Sequence, residues 1–296
     1  MNWFSDPLTH GFFRHGLAAG ILGGALCGLV GVYVVLKRMS YIGHGLSHAI
    51  FGGAAIANVW GLNFYVFAGA WGVLSALLIN GVSRRRKIGA DAAIGVITTA
   101  SFALGVALIS RAHKFTINLE AALFGNILGV TRQQLFVLLG VLVFAGVVIL
   151  LRYRELLFAT FDPEAADAYG INSRRTDTLL AIMLAATIVA AMQALGVTLI
   201  AATIVIPAVI ARLLTDSFGK MLVLSMSIGA LSGAVGMYVS YYVDVPPGAA
   251  IVLMLAAVFA MLYGATAFGA RRRLQALGSI DDHIDVAGPT VGADRS

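Results

Sequence analysis

Uncharged apolar runs of about 20 residues recur along this chain, each long enough to cross the roughly 30 Å of hydrocarbon in a lipid bilayer. No soluble core of this size absorbs so much apolar surface. Of 296 residues, 59% are hydrophobic and 11% charged, where a soluble domain carries about 25% charge. The solvent is therefore the bilayer, and the expected fold is all-α, a polytopic bundle of transmembrane helices. Spans are expected near 16–36, 42–60, 62–82, 93–110, 133–151, 178–194, 196–213, 220–242 and 246–268. Residues 178–211 carry no charge, yet as one helix those 34 residues would be about 51 Å long. Two short spans with a turn near Gly196 fit better. The stretch 115–130 is too short to span, holds Glu120, Gly125 and Gly129, and reads as an interfacial or re-entrant piece.

Positive charge tests this arrangement, because short cytoplasmic loops are enriched in Lys and Arg. With the N-terminus outside, the cytoplasmic side receives sixteen of them, including Lys37, Arg38, Arg84 to Lys87, Arg152, Arg154, Arg174, Arg175 and Arg271 to Arg273. The outside receives four, Arg14, Arg111, Lys114 and Arg132. Making 178–211 a single span would place the Arg271 to Arg273 cluster outside, so nine spans are expected, with eight as the fallback. The same clustering at span ends explains the net charge of +6 without nucleic acid. Met1 to His10 lacks the charged start of a cleaved signal peptide, so the first span is expected to stay. Residues 1–273 then form the membrane domain, and 274–296, with Asp281, Asp282 and Asp285, read as a disordered cytoplasmic tail. The single cysteine, Cys27, allows no intrachain disulfide and reads as a packing residue.

Three features stand out within this frame. Gly16, Gly20, Gly24 and Gly28 repeat every four residues, baring one face of the first span for close approach by another helix. In the second span His44 and His48 are four residues apart, so both imidazoles project from one helix face and can reach one metal ion. Ionisable groups inside spans are costly and usually face a pathway, and Gly45, Ser47, Gly52 and Gly53 keep the surroundings small. The polar segment 152–177 holds a short extramembrane helix: Asp162 suits its cap, Pro163 its first turn, Glu164 the positive end of its dipole and Gly170 its exit. Such a helix is either a plain loop element or a rigid lever for a cytoplasmic protein. Asp91 reads as a helix cap, Asp244 as part of a tight external turn, and Gln193 as a partner for backbone at the Gly196 turn. No phosphate loop, zinc-protease motif or nucleophile elbow is present in the sequence, so ATP hydrolysis by that loop and intramembrane hydrolysis have no support.

These residues, in order, resemble the membrane subunits of bacterial ABC importers for zinc, manganese and related divalent metals. The likeness runs from about Gly20 to Ala265. It is carried by Lys37-Arg38-Met39-Ser40-Tyr41-Ile42-Gly43 with Ser47-His48-Ala49, by Asp91-Ala92-Ala93-Ile94-Gly95, Phe124-Gly125-Asn126 and Phe161-Asp162-Pro163, and by Leu195-Gly196-Val197-Thr198, Ile206-Pro207-Ala208 and Pro247-Gly248-Ala249. The resemblance implies a permease without catalysis of its own, in the plasma or inner membrane. It further implies a homodimer, two cytoplasmic ATP-binding subunits, and an extracytoplasmic protein that delivers the metal. No permanently bound cofactor is implied, only the transported Mn²⁺ or Zn²⁺. By the same resemblance Phe161, Asp162, Pro163, Glu164, Ala165, Tyr169 and Gly170 form the coupling helix seated on the ATPase. The family usually has Asp where this chain has His44, while His48 matches. Imidazole in place of carboxylate moves preference toward borderline ions such as Zn²⁺, with Mn²⁺ still accommodated. The competing class is an ion-coupled secondary carrier or channel, for which few buried carboxylates are available. A membrane enzyme using the two histidines as haem or metal ligands ranks third, since a second ligand pair is missing.

Overall fold

The computed structural model describes residues 6–83, 90–112, 123–126 and 129–285, with side chains described as far as Thr266. The Arg84 to Lys87 cluster, most of the expected re-entrant piece including Glu120, and residues 286–296 lie outside the described residues. Within them the regular structure is entirely helical: a 3₁₀ turn at Pro7–Thr9, then α1 (Gly11–Leu36), α2 (Ser40–Val59), α3 (Phe64–Ser83), α4 (Ala90–Ala112), α5 (Arg132–Leu151), α6 (Tyr153–Phe161), α7 (Pro163–Ala168), α8 (Ser173–Leu195), α9 (Ile200–Leu214), α10 (Phe218–Val243) and α11 (Pro247–Asp285). Seven of these, α1, α3, α4, α5, α8, α10 and α11, are long and apolar enough to cross a membrane. α9 is apolar but has only 15 residues. α11 continues to Asp285, past the Arg273 boundary expected for the tail.

The 178–211 run divides as its length demands. α8 stops at Leu195, Gly196 takes φ +86°, and α9 starts at Ile200. Only glycine enters that left-handed backbone region without strain. A Cβ there would also strike the backbone around Leu123 to Gly125, because the segment 123–126 crosses the turn at backbone contact. Gly125, at the same φ of +86°, lies backbone to backbone against Ala194 and Leu195, and Gly248 at the start of α11 closes on Leu195 and Phe124. The Thr198 N–H (3.2 Å) and hydroxyl (2.7 Å) both donate to the Leu123 carbonyl. Three stretches distant in sequence thus satisfy one another's irregular backbone, as nonhelical chain in an apolar setting requires. Gln193 does more than serve its own turn. Its backbone carbonyl accepts from Asn126 N–H at 3.2 Å, and its side-chain oxygen accepts from Tyr65 Oη (3.1 Å) and Gln134 Nε2 (2.7 Å).

α1 is the axle of the bundle, packed against α10, α9, α5 and α8. Its glycine face meets α10. A Cβ on Gly20, Gly24 or Gly28 would fall inside contact distance of the backbone at Gly233, Gly229 or Ser225, and Ser225 Oγ donates to the Gly28 carbonyl at 2.6 Å. The face therefore serves packing within the chain. α2, α3 and α4 form a second group, joined to the first through α8 and α9. Cys27 is fully buried in α1, as a packing residue should be. Asp91 stands inside the first turn of α4 rather than ahead of it, so its carboxylate meets the helix dipole without occupying the cap position. Asp244 takes φ +55° at the end of α10 and makes the tight turn into α11.

Candidate functional site

α2 opens one residue after a tight reversal. α1 ends with Arg38 at φ +56° while Arg38 N–H donates to the Val35 carbonyl (3.0 Å) and Met39 N–H to the Val34 carbonyl (2.8 Å). This is the paired terminal bonding that usually recruits glycine, here built with arginine. From Ser40, the rise of a helix places His48 about 12 Å along α2 and His44 one turn earlier. Their rings lie 4.8 Å apart between centroids, edge to face at 82°. The four-residue spacing thus brings both imidazoles to one place.

The pair has a defined surround. Phe102 of α4 stands edge-on to the His48 ring at 5.3 Å. Gly45 lets α2 settle on Ile94 and Thr98, and Gly52 lets it approach the Ser101 backbone; a Cβ at either would collide with α4. Ser101 Oγ donates to the Ala49 carbonyl at 2.7 Å and accepts from Trp71 Nε1 at 2.6 Å, tying α2, α4 and α3 together at the residue next to His48. Ser47 Oγ donates back to the His44 carbonyl at 2.7 Å. Sequence reasoning did not single out Ser101, Trp71 or Phe102. The available signal was the polar run Thr98, Thr99 and Ser101 inside an apolar span, where hydroxyls need partners. His44 is exposed and His48 half-buried, so the site opens on the outer face of α2. Among the described residues no group of three or more His, Cys, Asp or Glu gathers there or elsewhere. Two imidazoles supply at most two donors, so an ion held there would need further ligands.

On the opposite side of the Lys37–Arg38 turn lies the short polar helix. Asp162 Oδ1 accepts from Ala165 N–H at 2.9 Å, Pro163 occupies the first turn, and Gly170, at φ +78°, ends the element. The segment is two helices rather than one: α6 ends at Phe161, and α7 covers only Pro163–Ala168. Asp167 Oδ1 accepts from Ser173 N–H (3.0 Å) and Ser173 Oγ donates to the Pro163 carbonyl (3.1 Å), fastening α7 to the start of α8. Phe161 and Tyr169 are 56% and 79% exposed, although Phe161 meets the Phe218 ring at 6.1 Å and Tyr169 the Phe158 ring at 6.3 Å.

A helical bundle crossing the membrane many times, carrying an imidazole pair on an open helix face and a short polar helix with exposed aromatics, defines a multi-pass membrane component of a transport system. The chain belongs to the ABC 3 transport family, whose model matches residues 9–264. It is 38% identical over 261 residues to the manganese transport system membrane protein MntC of Halalkalibacterium halodurans, covering 88% of this chain and 89% of that one. It is 37% identical over 248 residues to the manganese import system permease protein ScaB of Streptococcus parasanguinis, covering 84% and 88%. Among solved structures, PsaBC from Streptococcus pneumoniae in complex with Fab matches with a TM-score of 0.82 at 32% identity, over 88% of this chain and 94% of that one. A metal-chelate type ABC transporter in an inward-facing conformation matches at TM-score 0.66 and 16% identity, a likeness of fold.

Proposed function

We propose that this chain is the permease of an ATP-driven importer of divalent transition metal ions, Mn²⁺ foremost, with His44 and His48 as transient ligands on the path. The carrying observation is the imidazole pair, 4.8 Å apart and opening on the outer face of α2, in a family whose relatives bear manganese-transport names. Zn²⁺ rests on the donor set alone, since two imidazoles suit it at least as well. A polar helix face turned to lipid is costly, and exposed Tyr41, His44 and Thr99 are relieved if a second copy covers them. The working unit in this reading is a homodimer with two cytoplasmic ATP-binding subunits and an extracytoplasmic metal-binding protein. Hydrolysis occurs in the partners, and no cofactor stays bound. α2 and α9, packed against each other and against α8, complete nine crossings. Membrane residues then run to about 273, with the remainder cytoplasmic.

The orientation has a direct check. A cysteine placed near Ala276 reacts with an impermeant thiol reagent only after cells are permeabilised; labelling of intact cells would reverse the assignment.

In this reading Phe161, Asp162, Pro163, Glu164, Ala165, Tyr169 and Gly170 seat on the ATPase. The complex reconstituted in proteoliposomes takes up Mn²⁺ only with ATP, and uptake without ATP would favour a secondary carrier. Glu164→Lys combined with Tyr169→Glu is expected to leave the bundle folded while the Mn²⁺ transported per ATP falls by about an order of magnitude, as for loss of an interface anchor. Unaltered coupling in that variant counts against the lever.

A further inference from the structure

The end of α1 and the start of α8 are joined by an ion pair between Lys37 Nζ and Asp177 Oδ1, 140 positions apart in sequence. The Lys37 side chain is 10% exposed and that of Asp177 26%, so both charges are largely withdrawn from water. Lys37 is the residue immediately before the left-handed Arg38, and α2 begins two residues later with His44 one turn in. Asp177 lies one turn after Ser173, whose N–H and hydroxyl hold Asp167 and Pro163 of α7. A groove at this end of the bundle is lined by Lys37, Arg38 and Met39 on one wall and by Thr160, Pro163 and Asp177 on the other. Directly inside the ion pair, α2 and α8 are separated by a small apolar cavity bounded by Ile42, Leu46, Leu180 and Leu184.

This arrangement is a continuous chain of specific contacts. It runs from α7 through Ser173 into α8, across Asp177 to Lys37, and round a three-residue turn into the helix that bears the histidines. α7 packs against α6 and α8. The turn at Arg38 is held by two backbone bonds and cannot bend freely, so displacement of Lys37 is passed to Ser40 and onward. The cavity above the pair gives α2 and α8 room to slide. A partly buried ion pair is a poor source of net stability, because desolvation offsets the attraction, but it fixes register, since pulling opposite charges apart in a partly buried setting is costly.

We infer that Lys37 and Asp177 are positioning residues that transmit movement of the α7 helix to α2 and so set the opening of the histidine site. This inference rests on the permease reading given above. It identifies a link that the two site segments do not contain.

The test uses the full complex in proteoliposomes and four variants of this chain: Lys37→Met, Asp177→Asn, the neutral pair Lys37→Met with Asp177→Leu, and the exchanged pair Lys37→Asp with Asp177→Lys. Two quantities are read in each. One is Mn²⁺ transported per ATP hydrolysed. The other is the change in thiol labelling of Tyr41→Cys, a position beside the histidines on the face that the second copy is proposed to cover, between ATP-bound and vanadate-trapped states. The neutral pair keeps the melting temperature of the parent, yet its transport per ATP is expected to fall about fivefold or more, within the range for residues on a coupling route. Its Tyr41 labelling is expected to become insensitive to nucleotide. The exchanged pair recovers part of both. Single variants that fail to fold leave the neutral pair as the deciding case. Parent-like coupling and labelling in the neutral pair overturn the inference, leaving the ion pair a purely structural clasp. If the parent complex moves no Mn²⁺ but the labelling at Tyr41 still responds to nucleotide and loses that response in the neutral pair, the link stands and the cargo assignment fails.

Discussion

His48→Ala is expected to reduce Mn²⁺ uptake by about tenfold or more, the order of loss seen even when outer-shell partners of metal ligands are removed. His44→Ala should have a comparable effect, and the double variant should cost little more than the worse single one. Two ligands acting on one ion do not contribute independently, so their losses cannot add. The folded bundle should survive, because His44 is exposed and His48 half-buried, and beyond the edge contact of His48 with Phe102 neither is seen to hold the α2–α4 contact. That contact belongs to Gly45, Gly52 and Ser101. His44→Asp restores the carboxylate usual in the resembling importers, and a hard oxygen donor favours Mn²⁺ over Zn²⁺ relative to imidazole. Uptake in that variant should persist while the Mn²⁺ to Zn²⁺ ratio rises. Radiotracer uptake of both ions in the three variants, with thermal melting of each purified protein, decides the matter. Parent-rate transport by both alanine variants would make the histidines structural and place the path elsewhere.

How much of this was legible in the sequence depended on the range of the interaction involved. The split at Gly196 was legible, because helix rise and bilayer thickness are fixed lengths and 34 uncharged residues exceed one span. The Asp162 cap was legible too, since cap, proline and glycine act within one turn of each other. The histidine pairing followed from helix period alone. The Lys37–Asp177 pair was invisible for the opposite reason. Both residues read as ordinary span-end charges, and nothing local marks two such charges, 140 positions apart, as partners. Gln193 was placed at its turn but not given its links to Tyr65 and Gln134, which come from other helices. Asp91 was misplaced by a residue or more because cap chemistry and first-turn chemistry both favour a carboxylate. The glycine repeat announced a close approach without naming the partner helix, which only the tertiary fold supplies.

That approach carries the largest expected effect on stability. Gly24→Leu should destroy the folded bundle or leave it melting far below the parent. In lipid the hydrophobic effect does not hold helices together, and α1 and α10 are held by backbone contact and by bonds such as Ser225 Oγ to the Gly28 carbonyl. A Cβ at Gly24 would penetrate the Gly229 carbonyl, and the obstruction is reciprocal, since a Cβ at Gly229 would penetrate Gly24. Backbone meets backbone on both sides, so no rotamer change can absorb the added atoms. The helices must separate, and separation also loosens Gly20 against Gly233 one turn away. Overpacking of a core commonly costs about 1–3 kcal/mol when side chains can yield, and here they cannot, so the cost should exceed that range. Gly140→Leu provides the contrast. A Cβ at Gly140 in α5 meets nothing within 4 Å, and the site is exposed. There the same change replaces a poor helix former with a good one and gains up to about 1 kcal/mol of propensity. The two variants insert identical side chains into apolar helices, so hydrophobicity and helix preference cancel in the comparison. Melting of both in detergent, followed by light scattering and by size-exclusion profile, isolates the steric term. Equal melting temperatures for Gly24→Leu and Gly140→Leu would show that α1 and α10 are not locked together through their backbones.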